Sequence, residues 1–283
     1  MKHTPNKSNG MAKHMCILPV FLVAAIALVF GVVSPNCWAD DDDGDEIPFD
    51  EAHLFFELND TDGDLGIHAL IDGDAWQYLG IEDPNGRKML NVIVRGRLRR
   101  QGLTEIFFES AEPTFDELPP SRFFRRFPEG TYEIEGITLD RDELESEVEL
   151  THVMPAPPEP TVNGWPMAEN CDEDAAVVTS LPVTIEWPEV TLSHPDPDGG
   201  GAGVQPPIPV TIHNYEVVLE VELGEEGEEF TSVLSVILPP DVTSFTVPEA
   251  FISLGDEFKY EVLAREESFN QTAVESCFVL ELP

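Results

Sequence analysis

Short apolar runs with a period of two constrain this chain more than any other feature. At 131–138 (TYEIEGIT), Tyr132, Ile134 and Gly136 fall on one face of an extended strand, with Glu133 and Glu135 on the other. Comparable runs mark 52–58, 67–71, 75–81, 88–95, 104–109 and 144–150, and then 181–187, 213–223, 230–237, 243–247, 257–264 and 275–282. In the first group, turn signals stand between runs: Asp62-Gly63, Asp72-Gly73, Gly102 and Pro128-Glu129-Gly130. Asp83-Pro84-Asn85-Gly86 is the strongest hairpin signal in the chain. No long stretch has a 3.6-residue period; one short helix is expected near 110–118, with Pro113 in its first turn. The expected fold class is all-β, built as two β-sandwich domains.

The chain begins with a basic, then apolar, then small-residue segment. Lys2, Lys7 and Lys13 precede an uninterrupted apolar run at 17–33, and Ala39 stands before an acidic run. Residues 1–39 are read as a signal peptide, with an uncleaved membrane anchor as the alternative. Either reading places the body outside the cytoplasm: secreted, periplasmic or at the cell surface. Residues 40–48 are expected to be a disordered acidic leader. The first domain is placed at 49–153, a proline-rich linker at 154–170 and the second domain at 171–283. The run from His194 to Gly203 is expected to be a flexible surface insertion.

Charge narrows the partners. The chain has 15 Lys+Arg against 55 Asp+Glu, a formal charge of −40, and the three lysines before residue 39 make the body more acidic still. No nucleic-acid partner is expected, because such binding needs a dense basic face. A membrane partner is expected only if residues 17–33 are retained. Hydrophobic residues make up 42 %, which is enough to build cores and argues against disorder throughout.

Residues from about 175 to 283 resemble a fibronectin type III domain. Trp187 ends the expected B strand, and Ile212 to Val221 resembles the C strand. Val247-Pro248-Glu249-Ala250-Phe251 resembles the stretch that closes the E strand. Phe258, Tyr260, Val262 and Ala264 space the F-strand positions two apart. Phe258 departs from the tyrosine usual in the family, keeping the ring and losing a hydroxyl bond to the turn backbone. The resemblance implies an immunoglobulin-like sandwich that acts as a spacer or binding surface. The first domain resembles no family identified from its residues.

Four sets of side chains stand out. Asp60, Asp62, Asp64, Asp72 and Asp74 alternate as carboxylates that bind calcium can do, although an EF-hand loop started at Asp60 has Leu65 at its sixth position and Ile71 at its twelfth. Calcium is therefore the possible cofactor, and two polar turns in an acidic protein are the alternative. Cys171 and Cys277 remain after residue 39 and read as a disulfide, or else as two buried thiols. Nine of the 15 basic residues fall between 87 and 126. Among them, Arg95, Arg97 and Arg99 alternate as if on one strand face, and Arg122, Arg125 and Arg126 surround Phe123, Phe124 and Phe127. These arginines form either a docking patch or a neutralising set for the protein's own carboxylates. The phenylalanines read as core. Asn59-Asp60-Thr61 and Asn270-Gln271-Thr272 are glycosylation acceptors only in a host that glycosylates them.

No nucleophile elbow, phosphate-binding glycine loop or HExxH motif is present. The expectation is an exported, non-catalytic binding or adhesion-type module with a protein or glycan partner outside the cytoplasm. An accessory or divergent hydrolase of extracellular polymer, or a purely structural spacer, is the alternative.

Overall fold

The computed structural model describes residues 46–195, 206–224 and 230–282. The expected signal peptide or anchor, residues 40–45 of the leader and residues 196–203 of the insertion lie outside the described residues. Among those described, no helix is long and apolar enough to cross a membrane.

Asp62-Gly63 turns the chain between β1 (Glu51–Asn59) and β2 (Asp64–Glu82), which pair antiparallel along the whole of β1. Then follow β3 (Lys88–Ile93), β4 (Leu103–Glu109), β5 (Gly130–Thr138) and β6 (Glu143–Leu150). The runs at 67–71 and 75–81 are one strand, so Asp72-Gly73 is not a turn. It is the irregularity at which β2 changes partners, from β1 and β4 to β3 and β5. A Cβ at Gly73 would meet the Phe49 ring at 3.0 Å, so glycine here serves close packing within a strand. The hairpin at 83–86 forms as expected: Asp83 Oδ1 accepts from the N–H groups of Asn85 and Arg87, and Gly86 has φ 68°. No helix forms at 110–118. Pro119-Pro120 opens one turn later instead, at Pro120–Phe123.

The first half closes over one cluster that includes Leu54, Phe56, Trp76, Leu79, Tyr132 and Ile134. Phe123, Phe124 and Phe127 pack around Phe56 at centroid distances of 5.9, 5.2 and 6.3 Å, which makes them core. Tyr132 is fully buried, and its hydroxyl donates to the Pro128 carbonyl at 3.0 Å.

The segment expected to be a linker carries β7 (Thr161–Val162) and β8 (Trp165–Pro166), joined through Asn163 and Gly164 at φ 48° and 82°. Two successive positive φ values suit an Asn-Gly hairpin turn. The strands β9 (Ala176–Val178), β10 (Thr184–Glu186), β11 (Ile212–Leu223), β12 (Phe230–Leu238), β13 (Ser244–Thr246), β14 (Glu257–Glu266) and β15 (Gln271–Leu280) complete the fold. Here β13-β10-β7-β8 is one sheet, and β12-β11-β14-β15 belongs to the other. The positions expected as B and E therefore pair in one sheet, and C and F in the other, as in an immunoglobulin-like sandwich. Between the sheets, Val183, Ile185 and Trp187 pack with Tyr215, Val217, Phe258 and Tyr260. The Phe258 ring stacks on Phe278 at 5.0 Å, so it fills the core without a hydroxyl.

The larger sheet does not stop at the second half. β1 runs parallel to β15, with Glu57 opposite Gln271 and Asn59 opposite Ala273, and the order continues β12-β11-β14-β15-β1-β2-β5-β6. The described residues thus belong to one compact unit with two hydrophobic clusters. The end of the acidic leader is also tied in: Ile47 bridges Leu144, and its N–H donates to the Glu143 carbonyl at 3.0 Å.

Candidate functional site

Two polar constellations stand apart from the packed core. The first grows from the β1–β2 hairpin. Because Glu57 lies opposite Gly66 and Phe55 opposite His68, the side chains of Glu57 and His68 emerge on the same sheet face, one step apart. Glu112, in the chain that leaves β4, reaches back over them. His68 Nε2 lies 2.9 Å from Glu112 Oε1, and Nδ1 lies 3.9 Å from Glu57 Oε2. The imidazole is 4 % exposed and flanked by Phe55 and Phe107, with centroids at 5.4 and 6.1 Å.

Gly66 makes room for Glu112, since a Cβ there would overlap the Glu112 carboxylate. Gln271 donates its side-chain N–H to Glu57. Burial pushes the Glu57 carboxyl up, and His68 and the Gln271 bond oppose that push.

The five aspartates expected to converge on calcium do not do so. Asp60 pairs with His194 at 2.9 Å, Asp62 is exposed and Asp64 begins β2. Asp72 and Asp74 lie farther along the same strand. At the rise of a strand, Asp64 and Asp72 are roughly 26 Å apart. The separation arises because Asp72-Gly73 continues a strand that the sequence pattern had broken. Asp64 alone adjoins the Glu57–His68–Glu112 group, and its carboxyl is raised to about 6 by burial, then by Glu112, Asp62, Glu275 and Glu57. His194, expected in a loop without packing, is 8 % exposed, and its N–H donates to the Met154 carbonyl.

The second constellation is basic. Arg95, Arg97 and Arg99 do not share a strand face, because β3 ends at Ile93, Gly96 takes φ 66° and Leu98–Arg100 is a 3-10 turn. Instead Arg95 and Arg99 meet Arg141 around an open cleft of about 730 Å³, floored by Gln77, Tyr78, Ile93 and Ile137. Arg99 Nε donates to Gln77 Oε1 at 3.1 Å. Arg141 holds φ 78°, in the left-handed region that non-glycine residues rarely occupy. Arg122, Arg125 and Arg126 lie on the helical turns at 120–126, exposed, and do not line this cleft. Lys88 pairs with Glu82 and Glu135 at 2.6 and 3.1 Å. Among the described residues, none of Arg95, Arg97, Arg99, Arg122, Arg125, Arg126 and Arg141 lies within ion-pair distance of a carboxylate. Close ion pairs thus hold Lys88, and these arginines have none among the described residues.

Cys171 and Cys277 are disulfide-bonded, with Cα atoms 5.8 Å apart. Beside them opens a second cleft, of about 860 Å³, lined by Glu173, Glu220, Glu222, Asp256 and Glu257, with Lys259 among them. Asn270 is not a glycan acceptor surface: it is fully buried, with both its amide nitrogen and its oxygen bonded.

No family model matches the chain, and no curated protein matches it. Among solved structures it is similar to the fibronectin(III)-like modules of CbhA from Clostridium thermocellum, at 10 % identity and a TM-score of 0.27, over 83 % of this chain and 93 % of that one. It is also similar to a tetra-tandem repeat in the extending region of a large adhesion protein, at 13 % identity and a TM-score of 0.24, over 82 % of this chain and 50 % of that one. A third is from work on host cell surface retention of a 1.5-MDa bacterial ice-binding adhesin, at 10 % identity and a TM-score of 0.20, over 84 % and 66 %. The chain spans about half of the tandem-repeat structure.

Proposed function

We propose that this protein is an exported, non-catalytic binding module of adhesion type, and that Arg95, Arg99 and Arg141 contact an acidic protein or glycan outside the cytoplasm. The observation that carries the reading is the set of exposed arginines without carboxylate partners in a chain of formal charge −40. Exposed guanidinium groups left unpaired among so many acids are free to form bidentate bonds with carboxylate or sulfate. The strained backbone at Arg141 is held at the same cleft, where a fixed orientation would serve recognition. The disulfide supports an oxidising compartment.

The test is capture from the native surface and exported fraction, with the chain from residue 40 as bait and an R95E/R99E variant beside it. A parallel array of uronic-acid and sulfated glycans separates a glycan partner from a protein one. Specific capture lost in the variant supports the reading. Equal capture by both baits removes the cleft from it.

A further inference from the structure

We propose that Glu57, His68 and Glu112 form a binding site for a divalent transition-metal ion of the zinc class. One ligand atom from each residue lies within 4.8 Å of the other two. Zinc bonds of about 2.0–2.2 Å to nitrogen and carboxylate oxygen set neighbouring ligand atoms roughly 3.3 Å apart in a tetrahedron. The two His68 contacts use different ring nitrogens, Nε2 at 2.9 Å from Glu112 and Nδ1 at 3.9 Å from Glu57, so one nitrogen takes the ion and both carboxylates turn toward it from within 4.8 Å.

The site is built as well as acidic. His68 is 4 % exposed and fixed between two aromatic rings. Glu57 is held by the Gln271 amide, the outer bond that orients metal-ligating carboxylates. Gly66 supplies the notch over which Glu112 passes. Strand register fixes two of the ligands on adjacent strands, and such sites are more regular than loop sites.

The donor set chooses the ion. Calcium takes six to eight oxygens, and this group offers one nitrogen and two carboxylates. Imidazole with carboxylate suits zinc and its neighbours in the first transition row. A water molecule is available for the remaining position. This inference does not use the arginine cleft and stands or falls apart from it.

The experiment is calorimetric titration of the metal-stripped, untagged chain from residue 40 with zinc, with calcium and magnesium as controls. Cobalt is titrated as an optical probe of coordination. Binding of one zinc per chain is expected, with little heat from calcium, and the zinc form should melt at a higher temperature. Both E112Q and H68Q should weaken zinc by roughly 10-fold or more and abolish the tetrahedral cobalt band. Glu112 is half-buried at a loop, so E112Q keeps the test usable if H68Q does not fold. Absence of zinc binding, zinc binding unchanged in E112Q, or calcium binding as tight as zinc would each overturn the proposal.

Discussion

Asn270 donates from its side-chain amide to the Thr151 carbonyl at 2.9 Å, joining the β14–β15 turn to the chain that leaves β6. The same amide donates to the Val153 carbonyl at 2.9 Å, and its Oδ1 accepts from the Phe56 N–H at 2.8 Å. One fully buried side chain therefore satisfies three backbone groups from two separate parts of the sequence, at the seam where β1 meets β15. An Asn270→Ala substitution would strand two carbonyls and an amide without water to replace the bonds. Each such group costs about 1–3 kcal/mol, so a loss of roughly 3–5 kcal/mol is expected. Urea unfolding of the variant against the wild type measures it, and a loss below about 1 kcal/mol would show that the seam is held by strand pairing alone.

The seam was the least legible feature of the sequence. Alternation identified most strands, because half-buried sheets demand a period of two, and the second half followed its expected order from Thr184 to Leu280. Alternation does not say which strand lies beside which. The β1–β15 pairing joins residues more than 200 positions apart, and no local pattern encodes it. The Asp72-Gly73 signal misled because glycine can serve packing inside a strand as well as a turn. Asn163-Gly164, by contrast, was a readable hairpin signal obscured by the prolines around it. The metal-type group was half legible. A hairpin turning at Asp62-Gly63 puts Glu57 and His68 on one face, but Glu112 arrives from an irregular segment whose path depends on Gly66.

The disulfide closes a loop of 106 residues and fastens the segment before β9 to β15, the strand shared by both halves. In the chain-entropy account a loop of that length contributes several kcal/mol. Replacing Cys171 and Cys277 together with serine should cost roughly 2–5 kcal/mol. Thermal melting of the double variant under non-reducing conditions tests this, together with a free-thiol count on the unreduced wild type, which should find none between these two residues. A melting temperature unchanged in the double variant would mean that the unfolded chain already retains structure across this loop.

If the arginine cleft binds an acidic partner, it does so against the repulsion of a chain of formal charge −40. Salt screens that long-range repulsion before it screens contacts at the cleft. Raising the ionic strength should therefore raise the dissociation rate without slowing association. Reversing Arg122 or Arg125, outside the cleft, should change affinity less than reversing Arg95 or Arg99. All four are exposed, so each reversal should alter folding stability by only about 0.5 kcal/mol. Surface kinetics across a salt series, with the four single variants, would give the comparison. Equal losses from all four positions would point to diffuse charge instead of a defined cleft.

Glu261 sits opposite Glu275 across β14 and β15. Burial, then Glu57, Glu275, Glu216 and Glu220, push its carboxyl up to about 8. A carboxyl raised on folding holds its proton in the native state after the unfolded chain has released it. Stability should therefore fall as pH rises from the unfolded value near 4.5 through about 8, the reverse of a salt-bridged carboxylate. Glu261→Gln keeps the shape and removes the charge. The variant should match the wild type near pH 4.5 and melt about 5 °C higher above pH 8. Melting curves from pH 4.5 to 9 decide the matter: parallel profiles for the two proteins would show that Glu261 is ionised at low cost, with solvent reaching it between the strands.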